Sequence, residues 1–314
     1  MAATAPTEIG TTTPSAPIIR RRRPKFGAYG LLVPASILIG VALGYPLVRQ
    51  FVISFQEYGL KQQFGAPAEW VGLQNYTDLL TDPYVWTVIG RSVAFCLVNA
   101  AITMIIGMSL AVLMQRIGRA ARISLQVSLL LAWGTPVLAS MTVWQWLFDT
   151  QNGVINWTLS NVFGMDSMAH HSWIIEPLSF FFVATVIVVW MSVPFVAFSI
   201  YAGLLQVPTE TMEAAQLDGA SARQRFWNIT IPMIRPVLSI VLLLQVIWDL
   251  KVFTQIYTLQ RAGAPTRETN LLGTLIYSYA KDFGLAGALA TIMLVLTLAL
   301  TGFYIRQMLK EDEL

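Results

Sequence analysis

Long apolar runs alternate along this chain with polar, basic or turn-rich segments. Five uncharged runs, at 26–48, 92–114, 123–148, 177–209 and 283–305, are long enough to cross a bilayer, which takes about 20 mostly apolar residues per helix. The fourth exceeds what one crossing requires, so it is expected to include loop residues at both ends. A sixth segment, 236–259, is apolar except for Asp249 and Lys251. Counting it predicts an all-α polytopic membrane protein of six transmembrane helices.

The basic residues orient the spans. Arg20, Arg21, Arg22, Arg23 and Lys25 precede the first span. Arg116, Arg119 and Arg122 lie between the second and third, and Arg223, Arg225 and Arg235 between the fourth and fifth. Arg306 and Lys310 follow the last. These are 13 of the 20 Lys and Arg. The intervening loops, at 55–86, 149–176 and 260–282, hold Lys61, Arg261, Arg267 and Lys281. Both termini are therefore expected in the cytoplasm, and the alternation requires 236–259 to cross. The first run is too long for the apolar core of a signal peptide and is read as a retained anchor. Beside a span, the four consecutive arginines read as an orientation signal and not as a nucleic-acid site. Residues 1–25 read as a disordered tail, 26–308 as the membrane domain and 309–314 as a second tail. Trp86, Trp144, Trp146, Trp173 and Tyr304 near the span ends fit an interfacial aromatic belt.

Composition supports the membrane reading. The chain has 314 residues, 55% hydrophobic and only 12% charged, where soluble domains carry about 25% charged residues. The single cysteine, Cys96, excludes a disulfide framework and any cysteine-based metal site. The adjacent His170 and His171 have no nearby carboxylate cluster, so no metal site is assigned. No phosphate-binding glycine loop and no hydrolase signature occurs. The chain is read as a non-enzyme with no cofactor of its own.

One polar stretch, Glu213 to Pro236, is strongly punctuated: EAAQLDGASARQRFWNITIPMIRP. Pro208 and Thr209 suit a helix start, with acids in the first turns. Asp218–Gly219 should break that helix, with Asp218 capping the next. A second helix is expected over 221–230, ended by Pro232 and Pro236. Two short helices at an angle make an elbow beneath the membrane. The segment resembles the EAA motif of ABC importer permeases at Glu213, Ala214, Ala215, Asp218, Gly219, Ala220, Phe226, Ile229, Ile231 and Pro232. The resemblance implies that the loop 207–236 holds a coupling helix seated in a separate cytoplasmic ATPase. Two copies of that ATPase bind ATP and Mg²⁺, and Glu213 pairs with a basic residue there.

Two further segments narrow the likeness. Residues 70–86, WVGLQNYTDLLTDPYVW, and 251–260, KVFTQIYTLQ, are similar to carbohydrate importer permeases of the maltose-transporter type. The chain departs from that pattern at Thr254, often Asp in the family, and in the following RAGAPTRET. With the elbow, the resemblance covers roughly residues 28–308. It implies a second permease subunit, an extracytoplasmic solute-binding protein and location in the cell membrane.

Charges inside a span are costly, about 2.5–3.5 kcal/mol at a helix centre on insertion scales, and mark functional positions. Gln245 and Asp249 are four apart and share a helix face, with Trp248 beside them. Lys251 points elsewhere. An aromatic ring next to polar groups suits a sugar, whose C–H faces stack and whose hydroxyls hydrogen-bond. The family resemblance places solute contacts on the helices before and after the elbow, hence at Trp190, Ser192, Phe195, Gln245, Trp248, Asp249 and Lys251, with Pro194 kinking the fourth helix. Ordinary bundle packing and pairing with the partner permease are the competing roles for these residues. The function expected is import of a mono-, di- or oligosaccharide. The alternatives are import of glycerol phosphate or another small solute, an ion-coupled secondary transporter, and a membrane subunit without transport.

Overall fold

A computed structural model describes residues 32–312, with side chains through Arg306. The expected tail at 1–25 and the start of the first span lie outside the described residues. The described residues up to Arg49 and those from Gln50 form separate units, and the sites described below belong to the second.

The first long helix, α1 (Val33–Ile53), includes a π-turn at Gly40–Gly44. A short antiparallel pair follows, β1 (Gln56–Glu57) with β2 (Glu69–Trp70), then α2 (Gln74–Thr81). The long α3 (Pro83–Arg116) starts at Asp82, whose Oδ1 accepts from Tyr84 N at 2.8 Å, with Pro83 in the first turn, where a missing N–H costs nothing. Two helices, α4 (Arg119–Gly134) and α5 (Val137–Leu147), are followed by α6 (Val154–Asn161) and α7 (Pro177–Leu204). The elbow comprises α8 (Thr209–Leu217) and α9 (Ala222–Arg225), then a π-turn at Phe226–Thr230. The chain continues as α10 (Ile231–Leu250), α11 (Thr254–Arg261), α12 (Leu272–Ser278) and α13 (Phe283–Asp312).

Among the described residues, five helical stretches are long and apolar enough to cross a membrane, and the α4–α5 pair makes a sixth if it counts as one span. The all-α polytopic reading holds, with corrections to individual spans. The third expected span, 123–148, is not one rod, because α4 and α5 bend by 102° at their junction. Pro136 there lacks an N–H and disfavours helix at Thr135. The run 177–209 is helical from Pro177, so its surplus lies only after Leu204, and Thr209 already opens α8. The segment 236–259 is interrupted at 251–253, between α10 and α11. Pro232 and Pro236 do not end a helix; both lie inside α10. The π-turn just before Pro232 relaxes the i→i−4 pattern where proline has no N–H to give.

The core is α3 packed on α7, with α10 across both. Small residues allow the approach, as in membrane bundles that lack a hydrophobic drive between helices. A Cβ on Gly107 of α3 would stand 2.5 Å from Val196 Cγ1 of α7 and 3.3 Å from Ala197 N. One on Gly203 of α7 would meet the Val237 side chain of α10 at 3.2–3.3 Å. Many apolar side chains on the outer faces are exposed, including Leu97, Ile105, Leu131, Val295 and Leu298, as expected where lipid is the solvent.

The connections sort to two ends of the bundle. At one end, Gln115 donates to the Leu204 carbonyl at 3.4 Å, and Thr230 reaches Met212 Sδ at 3.9 Å. Arg116, Arg119, Arg122, Arg223, Arg225 and Arg235 belong to this basic end. At the other, Asn75 Nδ2 donates to the Ser54 and Gln56 carbonyls at 3.0 and 2.9 Å. Gly284 N donates to the Tyr58 carbonyl at 3.0 Å. Asn270 Nδ2 donates to Tyr84 Oη at 2.9 Å, and Leu272 N to Ser92 Oγ at 2.8 Å. Two residues assigned to the aromatic belt instead pack inward: Trp144 stacks on Phe148 at 6.0 Å, and Trp173 Nε1 donates to Asn156 Oδ1 at 2.6 Å.

Candidate functional site

The elbow is built by two capping devices in series. At the end of α8, Ala220 N donates to the Ala215 carbonyl at 2.9 Å and Gly219 N to the Gln216 carbonyl at 3.1 Å. Gly219 has φ +83°. This is the Schellman arrangement, in which glycine takes the left-handed position that a Cβ would penalise. Ser221 then caps α9 reciprocally: Ser221 N donates to Gln224 Oε1 at 2.8 Å and Gln224 N to Ser221 Oγ at 3.3 Å. Asp218 was expected to cap this helix. It is instead the C-cap residue of α8, because the Gly219 turn carries the chain on to Ser221 before the next helix begins. Arg225 Nη1 donates to the Ala220 carbonyl at 3.1 Å and holds the corner.

The faces of α8 are distinct. Met212 and Ala215 turn toward the bundle, while Glu210, Glu213, Ala214 and Leu217 are exposed. Leu217 is 89% exposed. Of the other motif positions, Ala220 and Phe226 are half-buried and Pro232 is exposed. Phe226 packs edge-on to Trp227 at 5.4 Å. The elbow thus presents an acidic and apolar strip outward from a corner fixed by hydrogen bonds.

A second cluster surrounds the break at 251–253. A cavity of about 270 Å³ is lined by Ser192 of α7, by Trp248, Asp249 and Lys251 at the end of α10, and by Thr254 and Gln255 opening α11. Asp249 is 2% exposed and Gln245 fully buried. Gln245 Nε2 donates to both carboxylate oxygens at 2.9 Å, while its Oε1 has no partner among the described residues. Gln245 therefore orients Asp249 from one turn behind the cavity. Trp248 packs against Phe195 with ring centroids 4.9 Å apart. Lys251 is exposed and is the C-cap residue of α10.

Four of the seven expected pathway residues thus share one cavity, and Gln245 and Phe195 support it. Trp190 is apart. It stands edge-on to Trp144 at 5.6 Å and lines a separate, almost wholly apolar cavity of about 540 Å³ with Ile102, Leu129, Phe182 and Val193. Trp190 and Ser192, two apart on α7, face different directions. Thr254 and Gln255 were missed because 236–259 was read as one uninterrupted span. The charged pair Asp249 and Lys251 within an apolar run was the signal of a break. α7 continues through Pro194, which is buried. His171 stacks edge-on against Trp173 at 4.8 Å, and its carbonyl accepts from Asn156 at 2.9 Å.

Comparison with known proteins accords with this architecture. Three relatives are similar over nearly the whole chain. The diacetylchitobiose uptake system permease protein DasB of Streptomyces coelicolor is 41% identical over 91% of this chain and 87% of its own length. The sulfoquinovosyl glycerol transport system permease protein SmoG of Agrobacterium fabrum is 30% identical, covering 90% of each. The trehalose/maltose transport system permease protein MalF of Thermococcus litoralis is 30% identical, covering 92% and 95%. Among solved structures, a bacterial ABC transporter involved in import of the acidic polysaccharide alginate has the same fold. Its TM-score is 0.77 at 20% identity, over 90% of this chain and 94% of that one. Residues 103–311 match the family model of the binding-protein-dependent transport system inner membrane component, and the chain is a membrane-spanning transport permease belonging to that family.

Proposed function

We propose that this subunit lines the pathway of an ABC importer for a saccharide in the cytoplasmic membrane, with its basic end in the cytoplasm. The observation that carries this reading is the cavity at the α10–α11 break. It sets an indole ring, a carboxylate, an ammonium group, a hydroxyl and an amide around a volume of about 270 Å³. Those groups suit a solute with hydroxyls on its edges and C–H on its faces. The names of the three relatives, each a transporter of a sugar or glycoside, support the same class.

In this mechanism a solute-binding protein delivers the sugar at the end carrying 55–86 and 149–176. Trp248 stacks on a sugar face, and Asp249, held by Gln245, accepts from its hydroxyls. Ser192, Thr254, Gln255 and Lys251 supply the remaining polar contacts. A second permease subunit completes the pathway. At the other end the exposed face of α8 docks in a cytoplasmic ATPase, with Glu213 paired to a basic residue. ATP and Mg²⁺ bind there, not in this chain. Movement of the ATPases is passed to the bundle as displacement of a rigid elbow.

The test is reconstitution of the full complex in liposomes with its binding protein, ATP inside and radiolabelled saccharides outside. Neutral N-acetylated, neutral unsubstituted and anionic sugars are compared. Uptake of a saccharide that requires ATP is expected. Glu213→Ala should lose co-purification with the ATPase, while Trp248→Ala keeps the complex and loses uptake. Uptake driven by an ion gradient without ATP, or full ATPase association in Glu213→Ala, contradicts the proposal.

A further inference from the structure

The connection from α5 to α7 is inverted relative to a water-facing loop. In α6 the polar Asn156 is 1% exposed. Its Nδ2 donates to the His171 carbonyl at 2.9 Å, and its Oδ1 accepts from Trp173 Nε1 at 2.6 Å. Large apolar side chains are turned outward: Val154, Trp157, Val162 and Phe163 are 40%, 61%, 62% and 67% exposed, with the polar Asn161 exposed beside them. A loop in water usually shows the opposite arrangement, and a contiguous exposed apolar patch signals a partner or a membrane.

Three observations identify the covering phase. The segment is tied to the start of a span, since Trp173, which donates to Asn156, lies 6.0 Å from the Phe182 ring of α7. Phe182 is 53% and Leu178 85% exposed on that helix. The segment sits at the end of the bundle opposite the basic loops, at the depth where α7 begins. Residues 149–176 contain no Lys or Arg. One of the acids, Asp149, is turned to its own backbone, accepting from Gln151 N and Asn152 N at 3.0 and 2.7 Å. A tryptophan and aliphatic residues on one side of a helix, with little charge, are what the headgroup–acyl boundary accommodates.

We propose that α6 and the turn after it form an interfacial anchor, lying in the outer leaflet with Trp157 and Phe163 inserted among the lipids. The attraction is apolar and does not require anionic headgroups. Because Asn156 and Trp173 bind the anchor to the start of α7, the anchor fixes the outer end of that helix against the bilayer while the pathway behind it opens and closes.

The test uses the complete transporter in nanodiscs of zwitterionic lipid. Cys96, buried, is replaced by Ala, and single spin labels are placed at Trp157→Cys, Phe163→Cys and, as an aqueous reference, Lys61→Cys. The oxygen-to-nickel collision ratio at positions 157 and 163 should exceed that at 61 several-fold, without and with the binding protein. A ratio like that of position 61 overturns the proposal. So does shielding from both reagents, which would place the patch against another subunit, or shielding that arises only when the binding protein is added. Should the cysteine variants fold poorly, quenching by brominated lipids gives a second measurement. Trp157→Phe should reduce the quenched fraction of tryptophan fluorescence relative to the native chain, and an unchanged fraction refutes the anchor.

Discussion

The Gln245–Asp249 pair yields a quantitative expectation because one partner is half-satisfied. Gln245 is fully buried and Asp249 nearly so. The amide donates to both carboxylate oxygens at 2.9 Å, leaving Gln245 Oε1 without a partner among the described residues. Asp249→Leu removes the acceptor and strands both ends of the amide. A buried polar group left unpaired costs about 1–3 kcal/mol. A loss of about 1–3 kcal/mol follows. Asp249→Asn differs in kind. Its Oδ1 can still accept from Gln245, and its Nδ2 can donate to the vacant Oε1, so both amides are satisfied. That variant should lie within about 0.5 kcal/mol of the native protein, because it exchanges two charge-assisted bonds for two neutral ones and removes a buried charge. Gln245→Leu leaves the carboxyl buried and unpartnered and should be the worst of the three. The assay is reversible unfolding of the purified complex in mixed detergent, run as a double-mutant cycle with Gln245→Leu/Asp249→Leu. A coupling energy of about 1 kcal/mol is expected. Strict additivity, or Asp249→Asn as unstable as Asp249→Leu, refutes the reasoning. Uptake measured alongside separates the roles: a stable Asp249→Asn transporter without uptake places the carboxylate on the solute.

Gly107→Ala should destabilise the α3–α7 contact by about 1–3 kcal/mol through overpacking, because the new methyl meets Val196 and Ala197; thermal melting of the complex measures this. Gly219→Ala forces a side chain into a left-handed backbone and should cost about 1–2 kcal/mol, confined to an exposed corner with open space around it. Its signature is reduced stimulation of ATP hydrolysis by loaded binding protein at unchanged complex yield. Asn156→Leu deprives Trp173 of its acceptor and three carbonyls of a donor. A local penalty of about 1–3 kcal/mol should appear as faster proteolysis within 149–176, with the spans protected.

Sequence alone determined the membrane class, five of the six expected crossing segments and the elbow. Each is encoded locally, by run length, by basic residues between runs, and by a glycine that admits φ +83° where the backbone must turn. The EAA spacing was legible for the same reason: its residues lie within twenty positions of one another. What depended on approach between distant segments was not legible. Nothing local distinguishes Trp190 from Ser192 as pathway lining; the two are separated only by which side of α7 faces the end of α10. The 102° bend between α4 and α5 interrupts a run whose hydropathy is unbroken. Hydropathy reports transfer into lipid and is indifferent to whether the backbone stays helical inside a bundle. The cavity draws Ser192, Asp249 and Gln255 from two packed helices and the start of a third. Only the tertiary structure, through the close packing that Gly107 and Gly203 permit, sets those side chains around one space.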